Sequence, residues 1–136
     1  MKSNRSKIMA ITMVMLLSIC FSVTVFADSG THTGTVTSNG KKLTHTETYT
    51  GTTKTMQARV SCPGARSAEV TMNAYYSTAA GNVYPATGNP YKQYLEPGTS
   101  AGVTYNALTG TYCHRATATY YIDNAYVWEN TFYGYK

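Results

Sequence analysis

Between Thr31 and Thr48 threonine recurs at every second position on either side of an Asn39-Gly40 pair, and this alternation leaves little choice of structure. Strand side chains alternate faces with a period of two, whereas a helix repeats every 3.6 residues. Asn-Gly is a preferred pair for a two-residue primed turn, because both turn positions need positive φ. With that turn Ser38 faces Lys41, and the register sets Thr35 opposite Thr44, Thr33 opposite Thr46 and Thr31 opposite Thr48. The other face pairs Val36 with Leu43, Gly34 with His45 and His32 with Glu47. The threonine comb reads as a solvated strand face, its cross-strand hydroxyl pairs adding about 0.2–1 kcal/mol each. A water-ordering array of the ice-binding kind needs many flat rungs, and a single twisted hairpin lacks them.

The rest of the chain follows the same period. After residue 27, Tyr and Thr dominate, helix-favouring residues are scarce, and no window of about a dozen residues carries apolar positions at helical spacing. Turn signals recur at Gly51-Thr-Thr, Pro63-Gly64, Pro97-Gly98, Leu108-Thr-Gly110 and Asp123-Asn124. Strands are predicted near residues 31–38, 41–50, 54–62, 67–78, 102–107, 111–122 and 125–134. The expected fold is all-β: a small antiparallel β-sandwich, Ig-like or jelly-roll-like, of about seven strands, with a small barrel as the other way to close it. The segment 79–101, rich in Gly and Pro and carrying Tyr84, Tyr91 and Tyr94, is expected to be a long loop.

Lys2, Arg5 and Lys7 precede an apolar run from Ile8 to Phe26, and Val25-Phe26-Ala27 closes it. This order predicts a secretory signal peptide over 1–27, cleaved before Asp28, and a single extracellular domain over 28–136. An uncleaved membrane anchor is the competing reading of so long an apolar run. Without the signal the formal charge falls from +5 to +2, since three of the 11 basic residues and none of the 6 acids lie in it. The remaining charges are dispersed, so no nucleic-acid partner is expected, and membrane contact is expected only through the signal before cleavage. Cys62 and Cys113 are then the two cysteines of the secreted domain. In an oxidising exterior they are expected to pair, closing a loop worth on the order of 4 kcal/mol.

Taking Asp123-Asn124 as a second two-residue turn sets Tyr121 opposite Tyr126 and Thr119 opposite Trp128. Ala116, Ala118, Tyr120 and Ile122, with Ala125 and Val127, make a small-aliphatic face suited to a core. Arg115, Thr117, Thr119 and Tyr121, with Tyr126, Trp128, Asn130 and Phe132, make the other. Flat aromatics beside hydrogen-bonding groups suit sugar rings and protein partners alike. Cys113 shares the parity of Arg115, however, so a buried disulfide would carry Trp128 inward unless a bulge switches the parity. Trp128 is core or surface on these grounds; both readings stand.

His32 opposite Glu47, with His45 diagonal, meets the smallest ligand count of a zinc site, and His114 is a further imidazole. The spacing matches no metal motif, and no metal or cofactor is expected. The acids Asp28, Glu47, Glu69, Glu96, Asp123 and Glu129 show no catalytic pairing, and no G-x-S-x-G, H-E-x-x-H or phosphate-binding glycine loop occurs. No enzyme and no catalytic residue is therefore expected.

The segment from His45 to Tyr76, with its His-x-Thr start, Gln57-Ala-Arg-Val60 and closing Ala74-Tyr-Tyr76, resembles the lactococcin-972-type bacteriocins over under a third of the chain. The resemblance implies a small secreted β-sandwich acting on cell-wall synthesis through a lipid-linked envelope precursor. The residues themselves point to a secreted, non-catalytic binding module for an extracellular glycan or protein, using Tyr121, Tyr126, Trp128 and Arg115 with Tyr84, Tyr91 and Tyr94. A bacteriocin-like or toxin-like effector is the alternative, and a structural matrix or coat protein is a third.

Overall fold

The alternation of the first hairpin is met pair for pair. The computed structural model describes residues 22–25, 29–95 and 100–134. Its strands are β1 (Ser22–Val25), β2 (Ser29–Ser38), β3 (Lys41–Thr50), β4 (Thr55–Ser61), β5 (Ala68–Thr78), β6 (Val83–Pro85), β7 (Tyr91–Leu95), β8 (Ser100–Asn106), β9 (Thr111–Ile122) and β10 (Ala125–Tyr133). Apart from 22–25, the segment read as a signal peptide lies outside the described residues. Asn39 (φ 48°) and Gly40 (φ 72°) take the left-handed conformations of the primed turn. Every pairing from Ser38–Lys41 to Thr31–Thr48 follows the expected register. The Thr33–Thr46 and Thr31–Thr48 hydroxyls meet at 3.2 and 3.3 Å.

The strands form two separate sheets rather than one closed sheet, and no helix occurs among the described residues. One sheet has the order β2-β3-β4-β8. The other runs β1-β10-β9-β5, with β6 and β7 both pairing with the far edge of β5. All pairings are antiparallel except β1 with β10. The inward positions are apolar at period two: Leu43, Met56, Ala58, Val60, Ala101, Val103 and Tyr105 from the four-stranded sheet. Val70, Met72, Ala74, Ala116, Ala118, Tyr120, Ile122 and Phe132 come from the other, and all are buried in one cluster. Alanines where β5 and β9 pair leave room for Tyr120 and Phe132, two of the largest fully buried side chains. Burying an apolar side chain of such size stabilises by about 1.5–3 kcal/mol.

The segment 79–101 is not the long loop that its glycines and prolines predict. Two strands in it clamp β5: β6 pairs over Tyr75–Ser77 and β7 over Ala68–Met72. Between them the Asn89 side chain substitutes for a strand, its Oδ1 accepting from the Ala74 N–H at 2.9 Å and its Nδ2 donating to the Ala74 carbonyl at 2.7 Å.

Two β-bulges reset the strand parity. In β9, Arg115 pairs with Tyr75 but Cys113 pairs with Tyr76, which leaves His114 as the extra residue and turns Cys113 inward. In β10, Tyr126 pairs with Tyr121 but Trp128 pairs with Tyr120 instead of Thr119, with Val127 extra. The expected Ala116, Ala118, Tyr120 and Ile122 face is therefore correct for β9. For β10 it is inverted beyond the bulge, so Asn130 and Phe132 face the core.

The Cys62–Cys113 disulfide does not form; both thiols are free and buried. Cys113 donates a hydrogen bond to the Lys54 carbonyl at 2.8 Å, just before β4 begins, whereas Cys62 directly follows the last residue of β4. Eight residues of extended chain span about 26 Å, far beyond the reach of a disulfide. Residue count and compartment bear on whether two thiols can pair, not on where the strands carry them. Burial pushes the Cys113 thiol up to about 11 and raises that of Cys62 as well, so both are protonated and unreactive near neutral pH.

Both primed turns lie at one end of the molecule, and Asp123 joins them. Its Oδ1 accepts from the N–H groups of Arg66 (2.7 Å) and Ser67 (3.0 Å), and its Oδ2 takes the Lys41 ammonium of the other sheet. The Lys41 bond first, then the two backbone donors, hold its carboxyl down to about 2. Two outcomes follow. Without reductant, thiol alkylation should spare Cys62 and Cys113 in the native protein and label both after unfolding in guanidinium; a disulfide-linked peptide pair on mapping would contradict the fold. A carboxylate with a lowered folded pKa stabilises the fold above its unfolded value, about 3.9, and that contribution is lost as pH falls to about 2. Asp123→Asn should therefore lower thermal stability at neutral pH and flatten the loss of stability between those two pH values.

Candidate functional site

Two arrangements of polar and aromatic groups stand out, one on each side of the six-stranded sheet. On the outward side, cross-strand pairing stacks four rungs: Glu69–Tyr121–Tyr126, Thr71–Thr119–Glu129, Asn73–Thr117–Thr131 and Tyr75–Arg115–Tyr133. The middle rungs are tied by the Thr117–Thr131 hydroxyls at 2.9 Å and by Thr119 Oγ1 donating to Glu129 at 3.1 Å. Each end carries aromatic rings. Tyr121 and Tyr126 meet edge to face at 6.2 Å, and Tyr126 is 58% exposed. At the other end the Arg115 guanidinium lies 4.5 Å above the Tyr75 ring. Six residues of β9 separate the ends, about 20 Å. Lys92 of β7 binds Glu69 at 3.0 Å and so flanks this surface.

Of the residues that the sequence nominates, Tyr121, Tyr126 and Arg115 share this face. Tyr94 pairs by its backbone with Glu69, at the Tyr121–Tyr126 end. Tyr84 stands apart, exposed on β6 with its ring 5.6 Å from Tyr76. Tyr91 is structural: its ring packs 5.7 Å from Tyr105 and its hydroxyl donates to the Thr87 carbonyl at 2.7 Å. Trp128 does not belong to the platform, because the Val127 bulge turns it inward, half-buried against the core. Tyr75 and Tyr133 complete the face and were missed by sequence reasoning. Their strand parity relative to Arg115 was the available signal, and it was masked by the bulges.

The second arrangement lies between the sheets. Glu47 on β3 is completely buried, and both of its carboxylate oxygens are engaged. Oε2 is 2.9 Å from His32 Nδ1; Oε1 is 2.9 Å from His45 Nδ1 and accepts the Tyr120 hydroxyl from the opposite sheet. An ionised carboxylate has only acceptors, so each imidazole presents its Nδ1–H to it. Burial by itself raises the Glu47 pKa, but the hydrogen bonds from His45, Tyr120 and His32, with the His45 charge, outweigh it and the net shift is downward. Tyr120, pushed upward by burial and by Glu47, stays a donor.

A glycine makes this packing feasible. A Cβ at Gly34 would lie 2.3 Å from His45 Nε2, so the ring occupies the space that any other residue would fill. His45 stacks 5.5 Å from Tyr120, 5.7 Å from His32 and 6.0 Å from Trp128. Of the group, His32 is open to solvent, its side chain 36% exposed. The sequence places His32 and His45 around Glu47 correctly; Tyr120 and Trp128 could not be assigned to them without knowing which strands oppose. Gly34→Ala should expel the His45 ring and leave the buried carboxylate short of a donor, a loss of roughly 1–3 kcal/mol. Chemical denaturation of that variant against the parent protein checks the claim. No family model, no curated protein and no solved structure matches the chain, so the likeness to lactococcin-972-type bacteriocins rests on the His45–Tyr76 residues alone.

Proposed function

We propose that this chain is a secreted, non-catalytic recognition module that holds an extracellular glycan along the outward face of its six-stranded sheet. The carrying observation is the four-rung ladder with aromatic rings at both ends and hydroxyl, amide and carboxylate groups between them. Sugar rings present apolar C–H faces and a periphery of hydroxyls. Tyr126, Tyr121 and Tyr75 supply flat apolar partners, while Arg115, Asn73, Thr117 and Glu129 supply donors and acceptors. A length of about 20 Å favours an extended chain over a single sugar. The sheets would constitute an Ig-like or jelly-roll-like sandwich, with the chain crossing between layers from β1 to β2, β4 to β5, β7 to β8 and β8 to β9. Secretion rests on the basic, apolar and small-residue order of residues 1–27. Cleavage before Asp28 would remove β1, leaving the ladder of β5, β9 and β10 on a five-stranded sheet with β10 at its edge.

The second reading, an effector acting on an envelope precursor, is favoured by the His45–Tyr76 resemblance. That segment builds β4, most of β5 and the end of β3 that carries His45 and Glu47, rather than the whole of one surface, so it bears less on what the ladder contacts. Glycan-array binding by protein whose N-terminus is Asp28 is the direct test. Tyr126→Ala and Arg115→Ala should weaken binding by about 2 kcal/mol each if they anchor the ligand. Tyr126→Ala, at an exposed position, should leave folding stability within about 0.5 kcal/mol, and Arg115→Ala, half-buried over the Tyr75 ring, within about 1 kcal/mol. Unchanged binding in both variants would remove the ladder from the function. A cell-wall synthesis defect caused by protein that binds no glycan would favour the effector instead.

A further inference from the structure

We infer that His32, His45 and Glu47 form a binding site for a divalent first-row transition ion of the zinc class. Each residue offers one ligand atom, and these atoms all lie within 4.8 Å of one another. The two Nδ1 atoms each lie 2.9 Å from a different Glu47 oxygen, His32 from Oε2 and His45 from Oε1, so the carboxylate bridges the two imidazoles. Ligands bonded to one zinc at 2.0–2.1 Å stand roughly 3.3 Å apart, so the three atoms would draw together by at most about 1.5 Å around an ion that replaces the shared protons. Two imidazoles and a carboxylate are a borderline donor set, suited to zinc, copper or nickel rather than to calcium or magnesium, which take oxygen ligands.

Three further features fit an ion better than a purely structural polar cluster. The first is the outer support, since the Tyr120 hydroxyl holds Glu47 from the opposite sheet, the kind of second contact that orients a ligating carboxylate. The second is access. His45 and Glu47 are buried, but His32 sits on the edge strand β2 with its side chain 36% exposed, which provides a route from solvent. The third is the Trp128 indole N–H in the same layer, which is buried without an acceptor. Three protein ligands leave a coordination position for water, and an oxygen there is an acceptor of the kind that this N–H lacks. Gly34 keeps the His45 ring in place across β2. The remaining histidine of the chain, His114, lies on β9 with its ring 6.1 Å from Tyr133 and takes no part.

The single tryptophan makes the site self-reporting. Cobalt(II), a spectroscopic stand-in for zinc, should quench Trp128 fluorescence saturably at one ion per chain and develop visible absorption bands. Zinc should reverse both signals by competition and raise the thermal midpoint. His32→Gln, at the exposed ligand, should weaken cobalt binding at least 100-fold while circular dichroism stays that of a β protein. Tyr120→Phe, which removes only the supporting hydroxyl, should weaken it by about 10–100-fold. His114→Gln should bind as the parent does. Folded parent protein that shows no saturable quenching would overturn the assignment. So would His32→Gln titrating like the parent, and so would loss of binding in His114→Gln alone.

Discussion

A carboxylate with no exposed surface sits between two β-sheets, and the arrangement of both sheets answers to it. An ionised Glu47 left without partners would cost several kcal/mol. Its three donors come from three strands: His32 on β2, His45 on β3 beside it, and Tyr120 on β9 across the interior. A one-residue slip of the β2–β3 register would turn His32 to the solvent side and leave Oε2 unpaired. The cluster therefore penalises alternative strand pairings that the neighbouring apolar residues alone would tolerate.

The two faces of the molecule differ in what they present. Outside the four-stranded sheet, the threonine comb continues across β4 and β8 through Gln57, which donates to Thr104 at 3.0 Å, and Thr55, which donates to Asn106 at 2.8 Å. That surface is hydroxyls and amides with Arg59 among them. Outside the six-stranded sheet, tyrosines and an arginine punctuate a similar polar ladder. The first face is built mainly from short polar side chains, whereas the second offers aromatic area at fixed spacing. This contrast is the reason for assigning the proposed ligand to the second face, and the inferred ion is assigned to the space between the layers.

Legibility in the sequence followed turn chemistry. Residues 31–50 were readable to the individual pair because Asn39-Gly40 admits one turn, and the turn fixes the register. Asp123-Asn124 did the same for Tyr121–Tyr126, then failed one residue later at a bulge that no local signal announces. Strands β6 and β7 escaped notice because they are short and interspersed with Gly and Pro; their stability comes from β5 and from Asn89, not from local propensity. The cysteines misled for a different reason: pairing them requires proximity, which compartment and count do not supply. Of the inner cluster, the part carried by one hairpin was visible and the part contributed by the facing sheet was not.

The bulges at His114 and Val127 also set where this chain can change length. Each is left out of the register with one neighbouring strand, His114 against β5 and Val127 against β9, so its loss would straighten the strand while every neighbour kept its face. Removing any residue downstream in β10 instead exchanges the inward and outward sets, sending Glu129 or Thr131 toward the core and Phe132 toward water. Insertions and deletions in these two long strands are thus confined by geometry to two positions. Homologous chains that differ in length within β9 or β10 should differ there, and an engineer shortening the domain has the same two places to begin.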